Sequence, residues 1–79
     1  MNWQDYIEFR PDVLRGKPII KGTRLSVEHI LTCMAAGDSE SELIESYPFL
    51  RSEHFHAVLA FAASVIASED RVFLKSQSG

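Results

Sequence analysis

The chain has 79 residues, of which 46% are hydrophobic and 24% are charged, and its formal net charge is −3. These values are typical of one globular domain and exclude a fully disordered chain. With a single cysteine, no signal-peptide pattern and no apolar run near the roughly 18 residues of a membrane helix, we expect a cytoplasmic protein that contacts no membrane. A domain this small buries barely enough apolar surface to fold alone, which favours a homodimer or higher oligomer.

Residues 1–25 are predicted to form a short β-ribbon. The β-favouring residues at 6–9 predict a first strand that ends before Pro11. Ile19 and Ile20, which stand between a proline and a glycine, predict a second short strand. We expect the two strands to pair with each other.

Two short helices with clear end signals are predicted next. Ser26 is a good N-cap for the first helix, and Gly37 can adopt the left-handed turn that ends it. Ser39 and Glu42 have the spacing of a capping box, and Pro48 prevents the second helix from continuing.

A third helix is predicted from about Ser52 to about Asp70, followed by a frayed polar tail over 71–79. The pattern therefore predicts one domain over 1–79, with three helices in 26–70. The fold class is mainly α, a helix-turn-helix domain of homeodomain-like or winged-helix-like type with an amino-terminal β-ribbon. The predicted apolar stripe of the third helix consists of Phe55, Val58, Leu59, Ala62, Val65 and Ile66.

The stretch "GKPIIKGTRL" resembles a phosphate-binding loop in composition but not in spacing. A P-loop has four residues between its first glycine and a Gly-Lys-Ser/Thr sequence. Five residues separate Gly16 from Gly22, and the order that follows is Lys21-Gly22-Thr23. We therefore expect the two glycines to supply turn conformations, and we expect no nucleotide cofactor.

A zinc site and a catalytic centre are also not supported by the pattern. His29 and Cys33 lie four residues apart on one helix face, and His54 or His56 could complete a ligand set. This spacing is unspecific, so surface or partner-contact roles fit these side chains better. No Ser or Cys stands in a recognisable arrangement with a base and an orienting group, and we expect no enzymatic activity.

Basic and acidic residues are unevenly distributed along the chain. Five of the eight Lys and Arg residues lie at positions 10–24, whereas 25–50 contains five acidic residues and no Lys or Arg. In a helix-turn-helix domain, the helix after the second turn reads the DNA major groove, and a basic loop can hold phosphates. A three-helix fold without a DNA role remains the alternative. The candidate DNA contacts are Lys17, Lys21, Arg24, Arg51, Ser52, His54 and His56.

Three motifs, "GKPIIKGTRLSVEHIL", "AAGDSESELIESYPFL" and "FHAVLAFAA", resemble the family called domain of unknown function 433. The resemblance covers about residues 5–65 and includes the Gly-Lys-Pro, Gly-Thr-Arg, Gly-x-Ser and Tyr-Pro signature. The chain departs from the family pattern at two positions. Arg51 replaces a common capping threonine, which leaves Ser52 as the expected N-cap, and His56 replaces a residue that is often basic.

The resemblance implies an antitoxin of a type II toxin–antitoxin module. Such antitoxins bind a PIN-like ribonuclease toxin and repress their own promoter by binding operator DNA as dimers or larger complexes. Arg24 would suit the acidic metal site of such a toxin, or would only brace the ribbon. A protein-interaction module without DNA binding is the alternative function. The candidate partner contacts are Phe61 and Val65, which form a second apolar edge of the third helix, and the carboxyl-terminal Arg71, Val72, Phe73 and Leu74.

Overall fold

Two short antiparallel strands, preceded by a 3-10 turn at Trp3–Asp5, open the fold. The computed structural model describes the backbone of residues 1–78 and the side chains of residues 1–68. Strand β1 (Ile7–Phe9) pairs with β2 (Pro18–Ile20), with Ile7 opposite Ile20 and Phe9 opposite Pro18. The predicted ribbon is therefore confirmed. Its isoleucines, Ile7, Ile19 and Ile20, are buried and attach the ribbon to the helices.

The connection between the strands contains a left-handed turn. Leu14, Arg15 and Gly16 have φ angles of 50°, 58° and 82°. Glycine adopts this region without penalty, but each of the other two residues costs about 1–2 kcal/mol there. The expected turn role of Gly16 is confirmed, whereas the left-handed Leu14 and Arg15 carry no signal in the sequence.

The first two helices begin and end at the predicted residues. Helix α1 (Val27–Ala35) is capped by the Ser26 hydroxyl, which accepts a 2.9 Å hydrogen bond from the His29 N–H. It is followed by Gly37 with a φ of 104°. Helix α2 (Glu40–Ser46) has the full capping box between Ser39 and Glu42, with N···O distances of 2.8 and 3.1 Å. These local predictions are confirmed.

Helix α3 spans Ser52–Ser78 and continues past the predicted end near Asp70, through most of the segment predicted as a tail. At 1.5 Å per residue it is about 40 Å long, whereas the nine residues of α1 span about 13 Å. Helix α1 therefore covers only part of α3. Among the described residues, no helix is both long and apolar enough to span a membrane.

The core lies where the ribbon, α1, α2 and the first half of α3 meet. The mainly α fold of three helices with a short amino-terminal hairpin is thus as predicted. The third-helix stripe is only partly buried, however: Leu59, Val65 and Ile66 are 48%, 40% and 65% exposed. These positions of the predicted stripe are exposed because nothing in the described part of the chain covers α3 there. The buried cluster consists of Ile7, Ile20, Val27, Ile30, Leu43, Leu50, Phe55, Ala57 and Val58.

Candidate protein and nucleic-acid interface

The glycine turn after β2 binds a side-chain carboxylate of the same chain. The Gly22 N–H donates a 2.8 Å hydrogen bond to the Glu8 carboxylate. Thr23 closes the turn, because its hydroxyl donates to the Ile20 carbonyl at 2.8 Å and accepts from the Leu25 N–H at 3.0 Å. The φ of Gly22 is 79°, so the predicted turn role of this glycine is confirmed. The amide that a phosphate would need is thus occupied by a carboxylate.

Lys17 and Lys21 lie at opposite ends of β2. Four residues of extended chain separate them by about 13 Å. Lys17 forms an ion pair with Glu28 of α1, with an Nζ···Oε1 distance of 2.9 Å, and the hydrogen bond from Lys17 lowers the pKa of Glu28. Lys21 and Arg24 are exposed and form no ion pair within residues 1–68. The predicted basic surface is therefore divided, and Lys21 and Arg24 are its unpaired part.

The first turn of α3 is capped by a histidine rather than a serine. The Arg51 N–H donates to Nδ1 of His54 at 3.0 Å, which is half of a capping box. Ser52 is the first helical residue, and its hydroxyl donates to the Glu53 carboxylate at 3.1 Å. The expected N-cap role of Ser52 is therefore wrong, since Arg51 occupies that position.

His54 is held on two sides and faces inward. Its ring lies edge-on to the ring of Tyr6, with centroids 5.5 Å apart. Burial lowers the pKa of His54, which favours the neutral ring whose Nδ1 accepts the Arg51 N–H. The Tyr6 carbonyl also accepts the Lys21 N–H at 2.8 Å, which places Lys21 at the same end of the molecule as the start of α3.

The side chains exposed at the start of α3 have mixed charge. Arg51, Ser52 and His56 are exposed, as a DNA contact requires. Glu53 is exposed beside them, and its pKa is lowered by hydrogen bonds from its own backbone N–H and from Ser52. Of the four predicted DNA contacts in this region, His54 packs against Tyr6 and accepts the Arg51 N–H. The other three, Arg51, Ser52 and His56, are exposed near the Glu53 carboxylate.

Phe61, a predicted partner contact, packs within an aromatic cluster of the same chain. Its ring centroid lies 4.9 Å from that of Trp3 and 5.8 Å from that of Phe9. Phe9 itself is half exposed. Phe61 is therefore half-buried, and one side of its ring remains open beside α1.

Further along α3, the exposed apolar side chains follow two lines. Val65 lies four residues after Phe61 and therefore one turn further along the same face. Leu59 and Ile66, seven residues apart on the predicted apolar stripe, form a second exposed line. The predicted contacts Arg71, Val72, Phe73 and Leu74 lie outside the described side chains.

An open apolar groove runs between α1 and α3. Val27, Leu31 and Ala35 of α1 form one side, Phe61 of α3 forms the other, and Pro18 lies in the lining as well. Within this lining, Ala35 is exposed and Leu31 is half-buried. The groove is an apolar surface next to Val65 that the sequence did not reveal.

His29 and Cys33 are adjacent, as their spacing predicts. Their Nε2 and Sγ atoms are 3.5 Å apart, and the Tyr47 hydroxyl lies 3.3 Å from the same Nε2. Burial, followed by the nearby Asp38 carboxylate, raises the pKa of the Cys33 thiol. Among the described residues, no group of three or more His, Cys, Asp or Glu side chains is placed to hold a metal ion. His29 and Cys33 thus share a surface with Tyr47.

Comparison with known proteins finds similarity along nearly the whole chain. The family model described as "Protein of unknown function (DUF433)" matches residues 7–62. The uncharacterized protein y4eO of Sinorhizobium fredii is 31% identical to this chain over 71 residues. The match covers 89% of this chain but only 32% of that protein, so the chain spans about a third of this relative's length. The crystal structure of a DUF433 member protein from Anabaena variabilis is 28% identical, with a TM-score of 0.75 over 86% of this chain and 67% of that chain.

Proposed function

The chain belongs to the DUF433 family, and we propose that it is an antitoxin-like component of a type II toxin–antitoxin module. In this role it neutralises a PIN-like ribonuclease toxin and, as a dimer, binds operator DNA and represses its own promoter. The proposal rests on the resemblance of its motifs to such antitoxins. The observation that carries it is the exposed line of Leu59 and Ile66 on a helix that extends beyond the core.

The toxin contact is assigned to this line of α3. A helix with an exposed apolar line binds a partner by placing that line in a groove, and each fully buried Leu or Ile side chain contributes about 1.5–3 kcal/mol. Phe73 follows Ile66 by seven residues in the sequence, the same interval that separates Leu59 from Ile66. The proposed carboxyl-terminal contact over 71–74 thus continues a repeat that begins within the described residues.

Co-expression with the tagged product of the neighbouring toxin gene tests this contact. We expect the wild-type chain to co-purify with the toxin and Ile66→Asp to be lost from the complex. Ser64→Asp is the matched control, because Ser64 is exposed on the same helix and lies about 160° around its axis from Ile66. A chain truncated after Ile66 should also be lost. Retention of that truncated chain would remove 71–74 from the contact.

DNA binding is assigned to the end of the molecule that carries Lys21 and the start of α3. The Arg51 side chain is exposed there, and the Tyr6 carbonyl joins Lys21 to this end. Each phosphate contact contributes about 0.9 to the slope of log affinity against log salt concentration. In gel shifts with upstream DNA at several salt concentrations, Lys21→Ala and Arg51→Ala should each reduce the slope by about one, whereas the ion-paired Lys17→Ala should change it less.

The alternative is a protein-interaction module that binds no DNA, and one observation favours it. The exposed Glu53 carboxylate lies in the first turn of α3 and would face DNA phosphates, while His54 is turned inward against Tyr6. No binding even at low salt would support this alternative, whereas equal affinity for upstream and random DNA would remove specific repression only. In either function we propose that the chain has no catalytic activity, and a metal-dependent nuclease assay on the purified chain should give none.

A further inference from the structure

The turn that follows β2 is closed without the Gly22 N–H. The N–H and the hydroxyl of Thr23 both donate to the Ile20 carbonyl, at 3.0 and 2.8 Å. The Ile20 N–H in turn donates to the Leu25 carbonyl at 2.9 Å. The Gly22 N–H takes no part in this network and donates to the Glu8 carboxylate at 2.8 Å. Glu8 can therefore leave the amide without opening the turn.

The surroundings of this amide are open and basic. A Cβ added at Gly22 would meet no heavy atom beyond its chain neighbours within 4 Å, so a ligand can approach the turn. Lys21 directly precedes Gly22 and Arg24 follows it by two residues, and both cations are exposed without an ion pair in residues 1–68. Once Glu8 leaves, the turn presents a backbone N–H between two cations, which are the groups that bind phosphate in proteins.

We propose that this turn binds a phosphate of the DNA backbone and that the Glu8 carboxylate competes with the phosphate for the Gly22 N–H. The inference rests on the proposed DNA binding, to which it adds a site and a residue that limits the affinity. In the complex the phosphate accepts the Gly22 N–H, and Lys21 and Arg24 neutralise its charge. The displaced Glu8 carboxylate is then solvated.

The position of the turn favours DNA over an acidic protein as the source of the anion. The Tyr6 carbonyl accepts the Lys21 N–H at 2.8 Å, and the Tyr6 ring packs against His54 in the first turn of α3. The turn therefore lies at the same end of the molecule as the exposed Arg51, which is assigned to the DNA surface. The proposed toxin contact, by contrast, begins at Leu59, about two helical turns further along α3.

The competition determines the size of the expected effect. The hydrogen bond to Glu8 is formed in the structure, so the amide is mostly occupied. At an occupancy of about 90%, the amide is vacant in about one tenth of the molecules, and the apparent phosphate affinity falls about tenfold. Glu8→Gln removes the charge and keeps a neutral oxygen of similar size, so we expect it to restore most of this affinity.

Inorganic phosphate tests the site on the chain alone. The NMR signal of the Gly22 amide is followed as phosphate is added to the wild-type chain, to Glu8→Gln and to Asp5→Asn. The half-maximal shift should occur at about tenfold less phosphate in Glu8→Gln than in the wild-type chain. Asp5→Asn is the matched control and should behave as wild type, because it makes the same charge change at an exposed carboxylate that is not bound to Gly22. A Gly22 amide in Glu8→Gln that does not respond to phosphate, or an equal gain in Asp5→Asn, overturns the proposal.

Upstream DNA tests the identity of the anion. Saturating DNA should shift the Gly22 amide of the wild-type chain. Glu8→Gln should bind the same DNA about tenfold more tightly, and its plot of log affinity against log salt concentration should be steeper by about 0.9, the contribution of one phosphate.

The measurement on the wild-type chain needs no variant, so it decides the question even where Glu8→Gln does not fold. A Gly22 amide that stays unmoved in the saturated complex overturns the inference and leaves the proposed DNA binding intact. A Gly22 response to phosphate in a chain that binds no DNA overturns DNA as the source of the anion, and that failure lies in the proposed function. A shift on adding the toxin but not on adding DNA would also overturn the inference, because the anion would then belong to an acidic protein surface.

Discussion

Replacing Arg51 with serine should stabilise the protein. Arg51 occupies the N-cap position of α3, where its own N–H is accepted by His54 but its side chain offers no acceptor to the first turn. A serine there would add the missing half of the capping box, as Ser39 does for α2. Arg51 is exposed, so the substitution removes no core contact.

The size of the effect follows from the hydrogen bonds already present. A serine N-cap is worth about 0.5–2 kcal/mol relative to alanine. The His54 N–H already donates to the Arg51 carbonyl at 3.0 Å, so we expect the lower half of that range, about 0.5–1 kcal/mol. With an unfolding entropy of about 2.1 cal/mol/K per residue over 79 residues, this corresponds to a rise in Tm of about 3–6 °C.

Thermal unfolding followed by circular dichroism measures the change, and Arg51→Ala is the control. Both substitutions remove the guanidinium, so the difference between their Tm values isolates the serine hydroxyl. If Arg51→Ser melts at or below Arg51→Ala, the assignment of the N-cap is refuted. Both variants should also bind operator DNA more weakly. A role in DNA binding would explain why an arginine occupies an N-cap position where it does not favour stability.

Four further outcomes follow from local geometry. Ser39→Ala should lower the free energy of unfolding by about 1 kcal/mol in denaturant titrations, since it removes the α2 cap. Glu42→Gln should make stability less dependent on acidic pH. The reason is that the folded pKa of the Glu42 carboxyl is lowered, so this carboxyl contributes stability that is lost as pH falls through that pKa. His54 should titrate below the ordinary histidine value of about 6.5 in an NMR pH series, and stability should decrease as pH falls from about 6.5 towards the folded pKa, because the unfolded ring binds the proton first. Gly22→Ala should lower Tm more than Gly22→Asn: the position has open space for a Cβ but a φ of 79°, which costs alanine about 1–2 kcal/mol and asparagine less.

The parts of this fold that were predicted correctly depend on neighbours in the sequence. Ser26, Gly37 and the pair Ser39 and Glu42 act within one helical turn, so their spacing alone specifies the ends of α1 and α2. The strand at Ile19 and Ile20 was predictable for the same reason, and with two short strands little choice of pairing remained.

The errors concern contacts between distant residues. The Gly22 N–H donates a hydrogen bond to the Glu8 carboxylate, 14 residues away in the sequence. The capping role of His54 depends on the orientation of its ring, which packs edge-on against the ring of Tyr6. The exposure of Leu59 and Ile66 depends on how much of α3 the shorter helices cover. Periodicity shows which face of a helix is apolar, but the lengths and positions of its neighbours decide how far that face is buried.

We propose that α3 beyond the core binds and neutralises a ribonuclease. The most direct measurement is the ribonuclease activity of the neighbouring gene's product as this chain is added. We expect the wild-type chain and Ser64→Asp to abolish the activity at stoichiometric amounts, and Ile66→Asp to leave most of it. Undiminished activity in an excess of the wild-type chain, or equal inhibition by Ile66→Asp, would contradict the account.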